Sequence, residues 1–214
     1  MAAELDHLVV ACLSLADARP KLEAALGVTD QGGVHVGRGT HNALWALDGG
    51  RLGACYLELI APDPDQAPPA AGPMPFGLHR ADMRARLAGG PRLVAWVART
   101  EAAEPLIAAC PEDMGRLLPM QRGELHWRLT VPPDGVAACG GVVPSLIEWP
   151  DGVSPAASMP SGGLRLTSFA RRPDPAAARA LAALGLADVL PEGETGGAPM
   201  RAVIEGPGGA TVFD

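Results

Sequence analysis

The feature that most constrains this chain is an internal repeat. Residues 8–20 (LVVACLSLADARP) lie over 93–105 (LVAWVARTEAAEP) without a gap, 85 positions apart and with both prolines coincident. Residues 39–47 (GTHNALWAL) lie over 123–131 (GELHWRLTV) at an offset of 84, and 55–60 (CYLELI) over 145–150 (SLIEWP) at 90, which sets Glu58 on Glu148. ALGL at 183–186 matches ALGV at 25–28. Each match is short on identities, but matches in one order on one type of element point to a duplicated unit.

The local patterns give that unit a shape. LDHLVVAC reads as a strand, and LADARPKLEAALG as a helix stopped by Gly27. VTDQGGVHVGRG, THNALWAL and ACYLELIA follow as strands, the last two joined through a DGG turn. The order βαβββ recurs from LVAWVART through EAAEPLIAAC to GRLLPMQ, LHWRLTVP and VPSLIEWP. The segment after 163 repeats it one strand short. Two stretches, 62–75 with six prolines and 150–163 with three prolines and three glycines, cannot be element interiors and read as linkers. The expectation is an α+β fold: a first βαβββ module at 1–61, a second at 76–149, and a truncated βαββ unit at 164–214, with curled mixed sheets around a cleft.

Composition narrows the function. Seventeen basic against twenty-four acidic residues give a net charge of −7, which disfavours nucleic acid as a partner. Lys21 is the single lysine, so Schiff-base chemistry has one candidate, on a helix. The four cysteines form no CxxC pair, and Cys12, Cys55 and Cys110 sit in apolar segments as free thiols. The N-terminus carries acids where a secretion signal needs bases, and no apolar run of about 18 residues appears. A cytoplasmic protein outside the membrane is expected, with a small molecule and at most a second copy of the chain as partners.

LDHLVVAC, GGVH at 32–35, GTHN at 39–42 and YLELIAPDP at 56–64 together resemble the glyoxalase-like domain family of the vicinal oxygen chelate superfamily. The likeness covers the first sixty or so residues in letters and the second module in architecture. It implies paired modules around a shared cleft, with metal ligands on the first and last strands of each. The superfamily includes isomerases, lyases, ring-cleaving dioxygenases, epimerases and metal-free binding proteins, so the fold does not fix the reaction.

Strand parity sorts the candidates. His7 shares a face with Leu5, Val9 and Ala11; among such neighbours a histidine is ordinarily part of a wall, and the resemblance makes it a metal ligand. Glu58 sits among Tyr56 and Ile60, where a carboxylate needs a cation, a metal or a proton. Glu148 repeats it, giving His7, Glu58 and Glu148 as the ligand set. Asn42, His35, Arg92 and Arg128 would bind substrate, and Glu148 or His126 would move a proton. In LHWRLTV the polar face carries His126, Arg128 and Thr130; the plain alternative is a solvated strand face. Arginine cannot ligate a metal, and Arg92 holds the place of His7 in the second repeat, so a four-ligand centre is incomplete. Either Arg92 enters the cleft and ties up Glu148, or it points outward and leaves Glu148 free; the second is favoured. The oxygen-rich set suits manganese or iron(II) above zinc, and an empty site is also open. Two functions follow. One is a metal-dependent isomerase, lyase or dioxygenase acting on a small substrate with vicinal oxygens. The other is a metal-free module in which Arg92 and Arg128 hold an anionic ligand.

Overall fold

The computed structural model describes residues 3–70 and 72–214. The order is β1 (Glu4–Ala11), α1 (Leu15–Leu26), β2 (Gly32–His35), β3 (Thr40–Asp48), β4 (Ala54–Pro62); α2 (Ala81–Leu87); β5 (Arg92–Arg99), α3 (Ala103–Ala109), β6 (Arg116–Arg122), β7 (Leu125–Val131), β8 (Ser145–Glu148); then β9 (Arg165–Arg171), α4 (Pro175–Ala183), β10 (Met200–Gly206) and β11 (Gly209–Phe213). The duplicated βαβββ order and the shorter βαββ order are both present.

Local chemistry sets the helix ends. Ser14 caps α1 by accepting from the Asp17 amide, and Gly27 ends it at φ 92°, a left-handed position that suits glycine. Asp174 caps α4 by accepting from the Ala176 and Ala177 amides, with Pro175 at the first helical position. Pro20 lies inside α1 on its exposed side rather than at its start.

All the strands join one sheet in the order β11-β10-β9-β3-β4-β1-β5-β8-β7-β6, with β2 on β3. The two modules meet where β1 and β5 run antiparallel, His7 opposite Val97, while β1–β4 and β5–β8 are parallel pairs. Laid flat, the seven steps from β2 to β6 would span about 33 Å at about 4.8 Å per strand. Yet the Val36 amide, just past β2, donates to the Gln121 carbonyl on β6 at 3.1 Å. The sheet therefore curls until its two module ends meet, and the inner face becomes a cleft.

Both faces are buried. The outer face packs Leu5, Leu8, Leu57, Trp96 and Leu146 against the helices, and Leu181, Ile204 and Phe169 of the third unit join the same core. The inner face gathers Val9, Ile60, Val97, Leu129, Ile147 and Trp149. Burial on two sides explains why β1 and β5 are almost continuously apolar. The third unit meets the first through one parallel pairing, Asp48 with Arg165, and meets the second at the chain end, where Asp214 accepts from the Leu93 amide at 3.2 Å. Among the described residues no helix is long and apolar enough to cross a membrane. All four cysteines are free thiols, Cys12 and Cys55 buried and Cys110 and Cys139 half-buried.

The proline-rich stretch ends in the cleft wall. Pro75 and Phe76 line it, and Phe76 is buried with φ 57°. Gly135 lets that turn close: a Cβ there would stand 2.3 Å from the Met74 carbonyl oxygen.

Candidate functional site

The inner face of the curled sheet lines a partly open pocket of about 460 Å³, counting the open space at its mouth. Its chemistry comes from β1 to β4. His7 on β1, His35 on β2, Asn42 on β3 and Glu58 on β4 all face inward and are buried. Gly32 lets β2 approach β3 closely: a Cβ there would meet the Asn42 carbonyl oxygen at 2.3 Å.

These side chains form one bonded chain. His7 Nδ1 binds Asp6 Oδ1 at 2.7 Å, and His7 Nε2 faces Glu58 Oε2 at 3.5 Å. The His7 ring stacks on Tyr56 with centroids 4.4 Å apart. Trp149 Nε1 donates to the second Asp6 oxygen at 3.0 Å. Asn42 Nδ2 donates to Glu58 Oε1 at 2.6 Å and reaches His35 Nε2 at 3.1 Å. Asn42 Oδ1 accepts from the Gly33 amide at 3.1 Å and from Arg122 Nη1 at 3.2 Å. Four partners thus fix the orientation of the amide. Because His35 Nε2 accepts, its Nδ1 carries the proton toward Thr40 Oγ1 at 2.8 Å.

Burial and pairing compete at each titrating group. Burial would lower His7, but the hydrogen bonds and charges of Asp6 and Glu58 win and raise it to about 9. Burial would raise Glu58, but His7, with help from His35 and Asn42, draws it down to about 2. Asp6 is likewise lowered, its burial overcome by His7. At His35 burial prevails over the Glu58 carboxylate 3.8 Å away and drops the ring to about 4. At neutral pH the site therefore holds an imidazolium clamped between two carboxylates, beside a neutral imidazole.

The second module lines the opposite wall with Met120, Trp127, Leu129, Ile147 and Trp149. Trp127 and Trp149 pack together with centroids 5.2 Å apart. The apolar face of LHWRLTV is the one turned to the cavity.

Of the residues picked from the sequence, His7, Glu58, Asn42 and His35 meet in the cavity, and four others do not. Glu148 is displaced by one residue of register. Ile147 and Trp149 take the inward positions that Glu58 and Ile60 hold on β4, so Glu148 faces outward. There it accepts from the Ala103 amide at 2.8 Å and pairs with Arg128. A slip of one flips every side chain on a strand. His126 and Arg128 share the exposed face of β7, Arg128 also binding Glu104 at 3.0 Å. Arg92 opens β5 and points outward to Asp214 at 3.1 Å, as favoured, yet Glu148 is not left free. Leu5 joins the outer core rather than sharing His7's face, because a bulge between Leu5 and His7 breaks the alternation. Asp6, Arg38, Arg122 and Trp149 escaped the sequence reasoning. Asp6 alone carried a signal, as a charge inside an apolar strand beside the histidine.

The resemblance implies a metal centre, which needs donors that converge. His7, Glu58 and Glu148 do not converge. Asn42 Nδ2 fills the position between Glu58 Oε1 and His35 Nε2 that a shared cation would need, and an amide N–H cannot ligate. The opposite wall supplies no imidazole or carboxylate. Among the described residues no group of three His, Cys, Asp or Glu side chains could hold a metal ion. The residues present do not fit the implied centre.

A family model described as glyoxalase-like domain matches residues 5–185. No curated protein matches the chain. Among solved structures it is similar to a Streptomyces coelicolor methylmalonyl-CoA epimerase variant in complex with 2-nitronate-propionyl-CoA, at 20% identity over 70% of this chain and 99% of that one, with a TM-score of 0.43. It is also similar to methylmalonyl-CoA epimerase from Mycobacterium tuberculosis, at 21% identity over 69% of this chain and 88% of that one, with a TM-score of 0.42. The chain belongs to the glyoxalase-like domain family.

Proposed function

We propose that this member of the glyoxalase-like domain family is a proton-transfer enzyme of isomerase or lyase type, acting on a small substrate with neighbouring oxygens through its own acid–base pair. The observation that carries this is the His7–Glu58 contact. At 3.5 Å it is longer than the 2.7–2.9 Å usual for such charged bonds, and it faces the cavity. It is the link that a substrate would open. Asp6 keeps a firm hold on His7 Nδ1, which leaves Nε2–H aimed inward.

Opening that link also tunes the pair. Burial is the largest influence on both groups and opposes their mutual attraction. A neutral substrate between them weakens the attraction and leaves burial in place, so Glu58 moves up and His7 moves down. Both then approach the range where acid–base catalysis is efficient. Glu58 takes the proton from carbon beside a carbonyl while His7 Nε2–H protonates the carbonyl oxygen, giving an enol. Return of the proton to the neighbouring carbon or the other face completes an isomerisation, and the pair is restored.

A second reading, a sequestering module without chemistry, is favoured by one observation: in the closed pair neither group titrates near neutrality. Deuterium exchange separates the two. Purified protein is incubated in D₂O with a panel of α-hydroxy ketones and 2-oxo acids and followed by proton NMR. Wild type should wash deuterium into the carbon next to the carbonyl, before and after dialysis against EDTA, and Glu58→Gln and His7→Asn should not. Ligand binding without exchange favours sequestration. Exchange lost to EDTA and restored by manganese or iron(II) would return the metal-dependent reading.

A further inference from the structure

Two of the arginines that lie on no carboxylate line the cavity. Seven arginines of this chain (Arg19, Arg80, Arg92, Arg99, Arg128, Arg165 and Arg171) lie on carboxylates. Arg38 and Arg122 both line the cavity, and among the described residues neither is paired with a carboxylate, although the chain carries a net charge of −7. Arg38 Nη2 donates to the Pro119 carbonyl at 2.6 Å, and Arg122 Nη1 to Asn42 Oδ1 at 3.2 Å. Each contact ties a guanidinium across the seam between β2–β3 and β6 while using one of its five N–H donors. The Arg122 stem lies against Gly33, where a Cβ would stand in ordinary contact at 3.4 Å from Arg122 Cγ.

We propose that Arg38 and Arg122 form the anion-binding end of the cavity, and that its ligand is a hydrophobic organic monoanion, a carboxylic acid with an aromatic or branched aliphatic body. This rests on the cavity being the ligand site, and it names the class of ligand. Charge fixes the count. His7, Arg38 and Arg122 are positive, while Glu58 and Asp6 are negative, so the cavity with Asp6 behind it carries one excess positive charge, which a single carboxylate cancels. Shape fixes the body, because Phe76, Met120, Trp127, Ile147 and Trp149 offer it only apolar and aromatic surface. Position fixes the length. Only the Asn42 amide separates the Arg122 guanidinium from the Glu58 carboxylate. An acid group held by Arg122 therefore sets a carbon a few bonds away against Glu58.

The test uses matched acids and amides: phenylacetate against phenylacetamide, and isovalerate against isovaleramide. Binding is read by the fluorescence of Trp127 and Trp149 and confirmed by calorimetry. Wild type should prefer each acid by roughly tenfold or more, the usual scale for a charge-assisted bond pair. Arg38→Gln and Arg122→Gln should each erase most of that preference while leaving amide binding in place. Arg122→Lys should keep part of it, and melting curves identify any variant that fails to fold. Equal binding of acid and amide, no saturable binding of either acid, or an undiminished preference in both glutamine variants overturns the proposal. An acid preference without any deuterium exchange keeps the anion end and removes the proton-transfer reading. Exchange on neutral ketones without an acid preference does the reverse.

Discussion

The two walls of the cavity come from the same topology and share almost no chemistry. β1 to β4 present His7, His35, Asn42 and Glu58, each bonded to the next. β6 to β8 present Met120, Trp127, Leu129, Ile147 and Trp149. On the last strand of each half the inward places are held by Glu58 and Ile60 in the first, and by Ile147 and the following Trp149 in the second. Two polar groups of the second wall reach the first, the Trp149 Nε1–H on Asp6 and the Arg122 guanidinium on Asn42. Arg122 aside, duplication has produced one half that holds protons and charge and one half that holds shape.

The contrast can be broken most sharply at Glu58. Glu58→Ala leaves the His7 charge buried without its inward partner and should cost about 3–5 kcal/mol, read by chemical denaturation at pH 7. Asp6→Asn, His7→Val and Glu58→Ile together make the first wall resemble the second. Since no charge is then left buried alone, most of that stability should return. A combined variant as unstable as Glu58→Ala would show that the polar wall is needed for folding.

The pH dependence of stability comes next in size. His7 is raised from its ordinary 6.5 to about 9, so its contribution is whole below pH 6.5 and is lost as pH rises through 9. His35 is lowered from 6.5 to about 4, so its contribution is whole above pH 6.5 and is lost as pH falls through 4. Glu58 is lowered from 4.5 to about 2, so its share is whole above pH 4.5 and fades toward 2. Thermal melting should therefore peak near pH 6.5. The combined variant should lose the alkaline slope and the Glu58 share of the acid one, and keep the His35 share between pH 6.5 and 4.

Asn42 tests why the first wall lacks a metal centre. Asn42→Leu strips donors from Glu58 and His35 and should cost about 1–3 kcal/mol. Asn42→Asp replaces the blocking N–H with a second carboxylate, so it should gain measurable manganese or zinc binding by calorimetry relative to wild type. Equal binding by both proteins would locate the obstacle elsewhere. The smallest effect is expected at Glu148, the repeat counterpart of Glu58. Glu148→Gln weakens an ion pair with the half-exposed Arg128 and should shift stability by about 1 kcal/mol or less, with no change in ligand binding.

The sequence carried the fold through its repeated strand and helix order, which survives small errors of register. It carried the polar wall because His7, His35, Asn42 and Glu58 all fall within one motif-bearing stretch. It could not carry the other wall. A gapless match of CYLELI to SLIEWP aligns the glutamates, whereas Ile147 and Trp149, not Glu148, take the inward face, and on a strand one residue decides which face a side chain takes. Arg38 and Arg122 were hidden for a different reason. A glycine-flanked loop arginine and a strand-end arginine look solvated until the sheet curls and brings β2 to β6.

The antiparallel seam between β1 and β5 has a consequence for change over time. Proton chemistry lies wholly on one side of it, and most of the surface that measures a ligand's body lies on the other. Substitutions at Met120, Trp127 or Ile147 can redraw the cavity's outline without touching the residues that hold the proton. On the function proposed above, a change in the body of the ligand could come from drift in a single half of the gene, while the other half stays under constraint.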